Sequence, residues 1–176
     1  MNKLWTNGHF AEDAYVTLDD AAALPASGAV IVTLKRWREH RAQLLVPVGK
    51  SGRKIGVLVE PTAVFGPVTD ALGHVAAIII PFAKFTDGRG YSLARRLREE
   101  LHFKGQIRAT GEVLIDQIPL MLRCGFDCFA ISHAPTLRAL ESGHLPAIPE
   151  VYQNAARGRA RTSARIGCVH KLDAAE

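Results

Sequence analysis

The sequence predicts an α/β fold: a single domain with a mostly parallel sheet of five or six strands and flanking helices. Three observations carry this expectation. The apolar run Val75 to Phe82 and the strand-like stretches Gln106 to Thr110 and Phe126 to Ser132 alternate with stretches of helical period. The intervening segments are too long for hairpins, so successive strands pair in parallel through right-handed crossovers. A length of 176 residues suits one domain and falls short of the roughly 250 of a full eight-stranded α/β barrel, which leaves an open doubly wound sheet or a truncated, barrel-like one.

The elements follow in chain order. The stretch up to Gly28 is mixed, and Leu18 to Leu24 reads as one short helix whose N-terminal dipole Asp19 and Asp20 favour. Ala29 to Leu34 is β-branched and apolar, hence a strand, and Arg36 to Arg41 has helical composition. Lys50 to Lys54 marks a turn before a strand from Ile55 to Glu60 that Pro61 ends. Val75 to Phe82 is the central strand, continuously apolar because both faces are covered. Leu93, Ala94, Leu97 and Leu101 recur at helical spacing, with Ser92 as the expected cap. Val113 to Leu122 again follows helical spacing up to Gly125, and Pro119 is tolerated if Asp116 is the N-cap and the helix starts late. Ala134 to Ser142 is the last helix, stopped by Gly143.

Composition excludes several classes. With 48% hydrophobic and 22% charged residues the chain is an ordinary globular one. The longest apolar run has the length of a strand, which argues against a membrane span. The first residues lack the features of a secretory signal, so a cytoplasmic location is expected. Cys124, Cys128 and Cys168 are too few and wrongly spaced for a disulfide framework, a zinc site or an iron–sulfur cluster, and no histidine pattern suggests a metal. The net charge of +5 is concentrated at the C-terminus, where Arg157, Arg159, Arg161, Arg165 and Lys171 oppose only Asp173 and Glu176. The body is left near neutrality, which argues against nucleic acid. Residues 1–154 are accordingly read as the α/β domain and 155–176 as a basic, solvated tail.

The chemistry is expected at the loop Lys84-Phe-Thr-Asp-Gly-Arg-Gly-Tyr-Ser92, because ligands in parallel α/β folds bind beyond the carboxyl ends of strands. Lys84 and Arg89 supply positive charge, Gly88 and Gly90 let the backbone turn and expose N–H groups, and Ser92 opens a helix. That combination favours a small anion. A purely structural alternative stands beside it, in which Asp87 pairs with Arg89 and the glycines only make the turn. Thr86 and Tyr91 complete the loop, and Arg108, Glu112, Asp116 and Gln117 are expected beside it at the exit of the next strand. No Walker or dinucleotide pattern is present, so no cofactor can be named.

The same loop, followed by Ala94-Arg95 and Leu97-Arg98, resembles the signature of an uncharacterised bacterial family, domain of unknown function nine hundred and thirty-four. Gly56-Val-Leu-Val-Glu-Pro61, Arg108-Ala109, Gly111-Glu-Val113, Asp116-Gln117, Cys124-Gly-Phe-Asp127 and Tyr152-Gln153 also match, so that the resemblance spans Ile55 to Gln153. The chain departs from that family at Ala83, where a proline is usual, and at Pro119, where an aromatic or aliphatic residue is usual. The resemblance implies a place beside sulfite reductase in sulfate assimilation. An accessory protein that binds a small anion or docks to the reductase is the first expectation. An oxidoreductase, as the family is labelled from its gene neighbourhood, here with a flavin or nicotinamide, is the alternative, and a non-catalytic scaffold subunit the next; a homo-oligomer is the default expectation for any of them.

Overall fold

The computed structural model describes residues 3–44, 53–63, 69, 72–84 and 86–146. The expected tail from 155, Tyr152, Gln153, Cys168 and most of the turn at Lys50 lie outside the described residues.

Among the described residues eight strands form one sheet, rather than the five or six expected. They are β1 (Lys3–Thr6), β2 (His9–Ala11), β3 (Tyr15–Thr17), β4 (Gly28–Thr33), β5 (Arg53–Leu58), β6 (Ala77–Phe82), β7 (Gln106–Gly111) and β8 (Cys128–Ile131). The additional strands come from the N-terminal stretch. Asn7 and Gly8 both adopt positive φ, 51° and 85°, and turn β1 tightly into antiparallel β2. β1 then adds antiparallel to β8. Leu18 to Leu24 is not a helix: the Leu18 N–H bonds to the Ile31 carbonyl, and the Arg36 guanidinium takes the carbonyls of Asp19 and Ala22.

The strand order is β2-β1-β8-β7-β6-β5-β4-β3, with β3 to β8 parallel and in chain order. A doubly wound sheet needs a reversal of strand order, and none occurs. Crossovers of one hand in sequential order put the helices on one face, so the other face is covered by curling the sheet toward a barrel. The curl is visible in one contact: Arg108 of β7 reaches Asp13 at 2.7 Å and stacks 5.0 Å from the Tyr15 ring of β3, four strands away.

Among the described residues these helices flank the sheet: α1 (Leu34–Glu39), α2 (Arg41–Leu44), α3 (Arg89–Glu99), α4 (Ile118–Cys124) and α5 (Ala134–Glu141). Alternation along the strands separates two cores. Val30, Val32, Ile55, Val57, Ile78, Ile80, Ile107 and Phe129 face the helices and pack with Trp37, Leu97 and Met121. Ile31, Ala77 and Ile79 face the inside of the curl beneath Tyr15. A Cβ on Gly56 would stand 2.9 Å from Ile79 and 3.4 Å from Tyr15, so this inner space is filled.

α3 is tied to the rest by one buried arginine. Arg98 donates to the carbonyls of Gly125, Phe103 and Gly105 and to the Asp127 carboxylate at 3.0 Å, and Asp127 also accepts the Ile107 N–H at 2.9 Å. Gly125 holds a left-handed φ of 103° against the Arg98 side chain, which ends α4 there.

Candidate functional site

The parallel strands deliver their carboxyl ends to one rim, and three loops meet there. The loop after β6 begins at Ala83. The loop after β7 is held beside it, because Glu112 donates its N–H to the Phe82 carbonyl at 2.9 Å. The residues after β8 join through Thr136, whose hydroxyl donates to the Val113 carbonyl at 3.3 Å.

Within the first loop Asp87 organises everything. Its carboxylate accepts from Arg89 Nε and from Arg89 Nη2, both at 2.8 Å, and from the Arg89 backbone N–H at 3.1 Å. α3 therefore starts at Arg89 and not at Leu93, and Ser92 lies inside its first turn and not at its cap. The Arg89 side-chain bonds, followed by its N–H, hold the Asp87 carboxyl down to about 2. The guanidinium is paired yet 64% exposed, so it is an oriented surface cation. Lys84 and Thr86 are exposed, and Lys84 has no side-chain partner among the described residues. Phe85 lies outside the described residues.

The two glycines of the loop differ in their work. A Cβ on Gly90 would come within 2.6 Å of the buried Phe82 ring, so Gly90 lets α3 approach β6 closely. Gly88 has nothing within 4 Å of such a Cβ and an ordinary φ of −71°. Neither packing nor backbone geometry demands glycine there; its effect is a bare loop tip.

The other expected residues divide. Tyr91 packs edge-on against Phe82, and burial pushes its phenol up to about 12, with Cys124 and Asp116 adding to the rise. Gln117, rather than Asp116, is the N-cap of α4; its side chain accepts weakly from the Leu114 N–H at 3.4 Å, and Pro119 falls in the first turn where no donor is missed. Asp116 and Glu112 are exposed at the rim loop after β7. Arg108 is not brought to this loop. It is buried on the inner face, bonded to Asp13 and Gln106, where it closes the curl. Cys128 lies near it with its thiol pushed up to about 12 by burial, an unreactive core residue.

One rim residue had not been singled out in the sequence. His133 is the exposed N-cap residue of α5, and its Nδ1 lies 2.9 Å from the Thr136 hydroxyl. The available signal was its position directly after a buried strand and before Ala134-Pro135-Thr136, the opening turn of a helix.

Curled sheet, carboxyl rim and charged loop together define an α/β near-barrel protein with a polar rim at its strand ends. Over residues 56–162, more than half its length, the chain matches the family described as Bacterial protein of unknown function (DUF934), and it belongs to that family. A search of curated proteins found no match. Among the described residues no helix is long and apolar enough to cross a membrane.

Proposed function

We propose that this is an accessory protein of sulfite assimilation in the cytoplasm, acting by docking its carboxyl rim against sulfite reductase through the Lys84 to Ser92 loop. The pathway comes from the family resemblance; the manner of action rests on the loop. The observation that carries it is the exposed Arg89 guanidinium, oriented by the two bonds it donates to Asp87, beside a bare Gly88 and an exposed Lys84. Rigid, exposed charges of this kind steer and register a partner surface. Capture of a small anion at the start of α3 is disfavoured, because Asp87 already occupies both the Arg89 N–H and its guanidinium.

The test is retention of sulfite reductase by the immobilised protein in buffers of increasing salt. Salt-sensitive retention that Lys84→Glu and Arg89→Glu abolish is the expected result. No retention at low salt would remove the docking role.

A further inference from the structure

We infer that the Arg108 guanidinium and the Tyr15 N–H form a receptor for a small carboxylate inside the curl, and that Asp13 is its intramolecular occupant, which a free carboxylate displaces. Arg108 is not part of the Lys84 to Ser92 loop, so this site stands independently of the docking role.

Three arginines are buried among the described residues, and two of them are built into the backbone. Arg36 donates to the carbonyls of Asp19 and Ala22, and Arg98 to those of Gly125, Phe103 and Gly105. Arg108 is held otherwise: its acceptors among the described residues are two side chains, Gln106 and Asp13. A guanidinium only donates, so Gln106 presents its amide oxygen, which spans Nε at 3.3 Å and Nη2 at 3.1 Å. The Tyr15 ring lies 5.0 Å from the guanidinium carbon and covers its face. These two contacts fix the fork and leave Nη1 for a further acceptor. Asp13 supplies it at 2.7 Å, and its other oxygen accepts the Tyr15 N–H at 3.0 Å. A donor from β7 and a donor from β3 thus each hold one oxygen of the same carboxylate.

The occupant is less firmly placed than the receptor. Asp13 belongs to neither neighbouring strand but lies between β2 and β3, and its side chain is 35% open to water where that of Arg108 is 3% open. Rotation of one side chain therefore uncovers the guanidinium while β3 stays paired to β4 and the Tyr15 ring stays packed on Ile31, Ala77 and Ile79. A buried guanidinium so uncovered requires another anion. Asp13 is its one anionic partner among the described residues, since the neighbouring Cys128 thiol, pushed up to about 12 by burial, is neutral. Two donors set for two oxygens select a planar carboxylate on a short aliphatic stem, the shape of the Asp13 side chain itself. A tetrahedral oxyanion brings further oxygens that these two donors cannot satisfy.

Acetate, which is the Asp13 side chain cut free of its backbone, is the probe, with chloride at equal ionic strength as the control. NMR titration of the wild type is expected to show a saturable shift of the Tyr15 amide and the Arg108 guanidinium with acetate and not with chloride. Asp13→Gly removes the intramolecular competitor and vacates its space, so it binds acetate at least about tenfold more tightly, and acetate raises its melting temperature. Asp13→Asn keeps the occupant's shape and serves where the glycine variant is too unstable to titrate; its neutral amide is displaced at lower acetate than the wild-type carboxylate. A wild-type Tyr15 amide that acetate leaves unmoved, or matching responses to acetate and chloride in these variants, would overturn the inference and leave Arg108 and Asp13 a structural pair only. Phosphate binding as tight as acetate would overturn it as well, because the site would then not select a carboxylate.

Discussion

Two arginine–aspartate pairs of nearly equal length sit in opposite surroundings. Arg108 meets Asp13 at 2.7 Å inside the curl of the sheet, with 3% of its side chain exposed; Arg89 meets Asp87 at 2.8 Å on the rim, with 64% exposed. The first pair joins residues 95 apart in sequence, the second residues two apart. A long-range pair out of water holds the N-terminal segment across the sheet, while a local pair in water only orients its own loop. Bond length does not distinguish them; burial and chain separation do.

Breaking the inner pair produces the largest effect. Asp13→Ala leaves the Arg108 charge in the sheet's interior and is expected to cost about 2–3 kcal/mol, below the roughly 3–5 of a fully buried pair because Asp13 is a third open to water. Urea unfolding measures it, and a loss as small as that of a surface charge would show that the curl does not depend on this contact. Gly90→Ala comes next. Its methyl meets the Phe82 ring and is expected to cost about 1–2 kcal/mol, while Gly88→Ala costs far less. Equal stabilities would contradict the division of labour between these glycines.

Titration sharpens the same contrast. The Asp87 carboxyl is held at about 2 against an ordinary 3.8, so its contribution is present above 3.8 and is lost only as pH falls through about 2. The Tyr91 phenol is raised to about 12 from 10, so its contribution is complete below 10 and is lost as pH rises toward 12. Two-dimensional NMR should find the Arg89 amide unmoved down to about pH 4 and the Tyr91–Phe82 contact loosening in alkali. An Arg89 amide that shifts already near neutrality would show that the rim pair is not formed. The smallest effect belongs to Arg89→Ala, for which the unfolding midpoint is expected to stay within experimental error.

How far the sequence could be read follows from the same physics. β4, β5, β6 and β8 were legible as largely apolar runs, because parallel strands buried on both faces carry their own signal, and β7 as a short strand-like stretch between two helical ones. β1 to β3 are three or four residues long and gave none, although Asn7-Gly8 was a readable hairpin turn. Leu18 to Leu24 looked helical because its composition is local, whereas its structure is set by Arg36 and Ile31 from elsewhere in the fold. The end of the sheet carrying the loop was legible from position alone. Which arginine is exposed was not, since Arg89 and Arg108 are chemically identical in a sequence and differ only after the sheet curls. His133 was missed for a related reason: its partner Thr136 is visible three residues on, but the Val113 carbonyl that Thr136 also meets belongs to another loop.

Much of what resembles the family has structural work to do. Gly90, Gly111, Arg98, Gly125 and Asp127 hold helices and strands together. Lys84, Gly88 and Arg89 do not, and all three are exposed at the rim.

The central claim is that the rim pair serves a partner and not the fold. Its most direct measurement is reductase retention by Arg89→Glu at a temperature where variant and wild type are equally folded. The account predicts that retention is lost while the unfolding curve is unchanged; full retention by a folded variant, or a variant that unfolds, would contradict it.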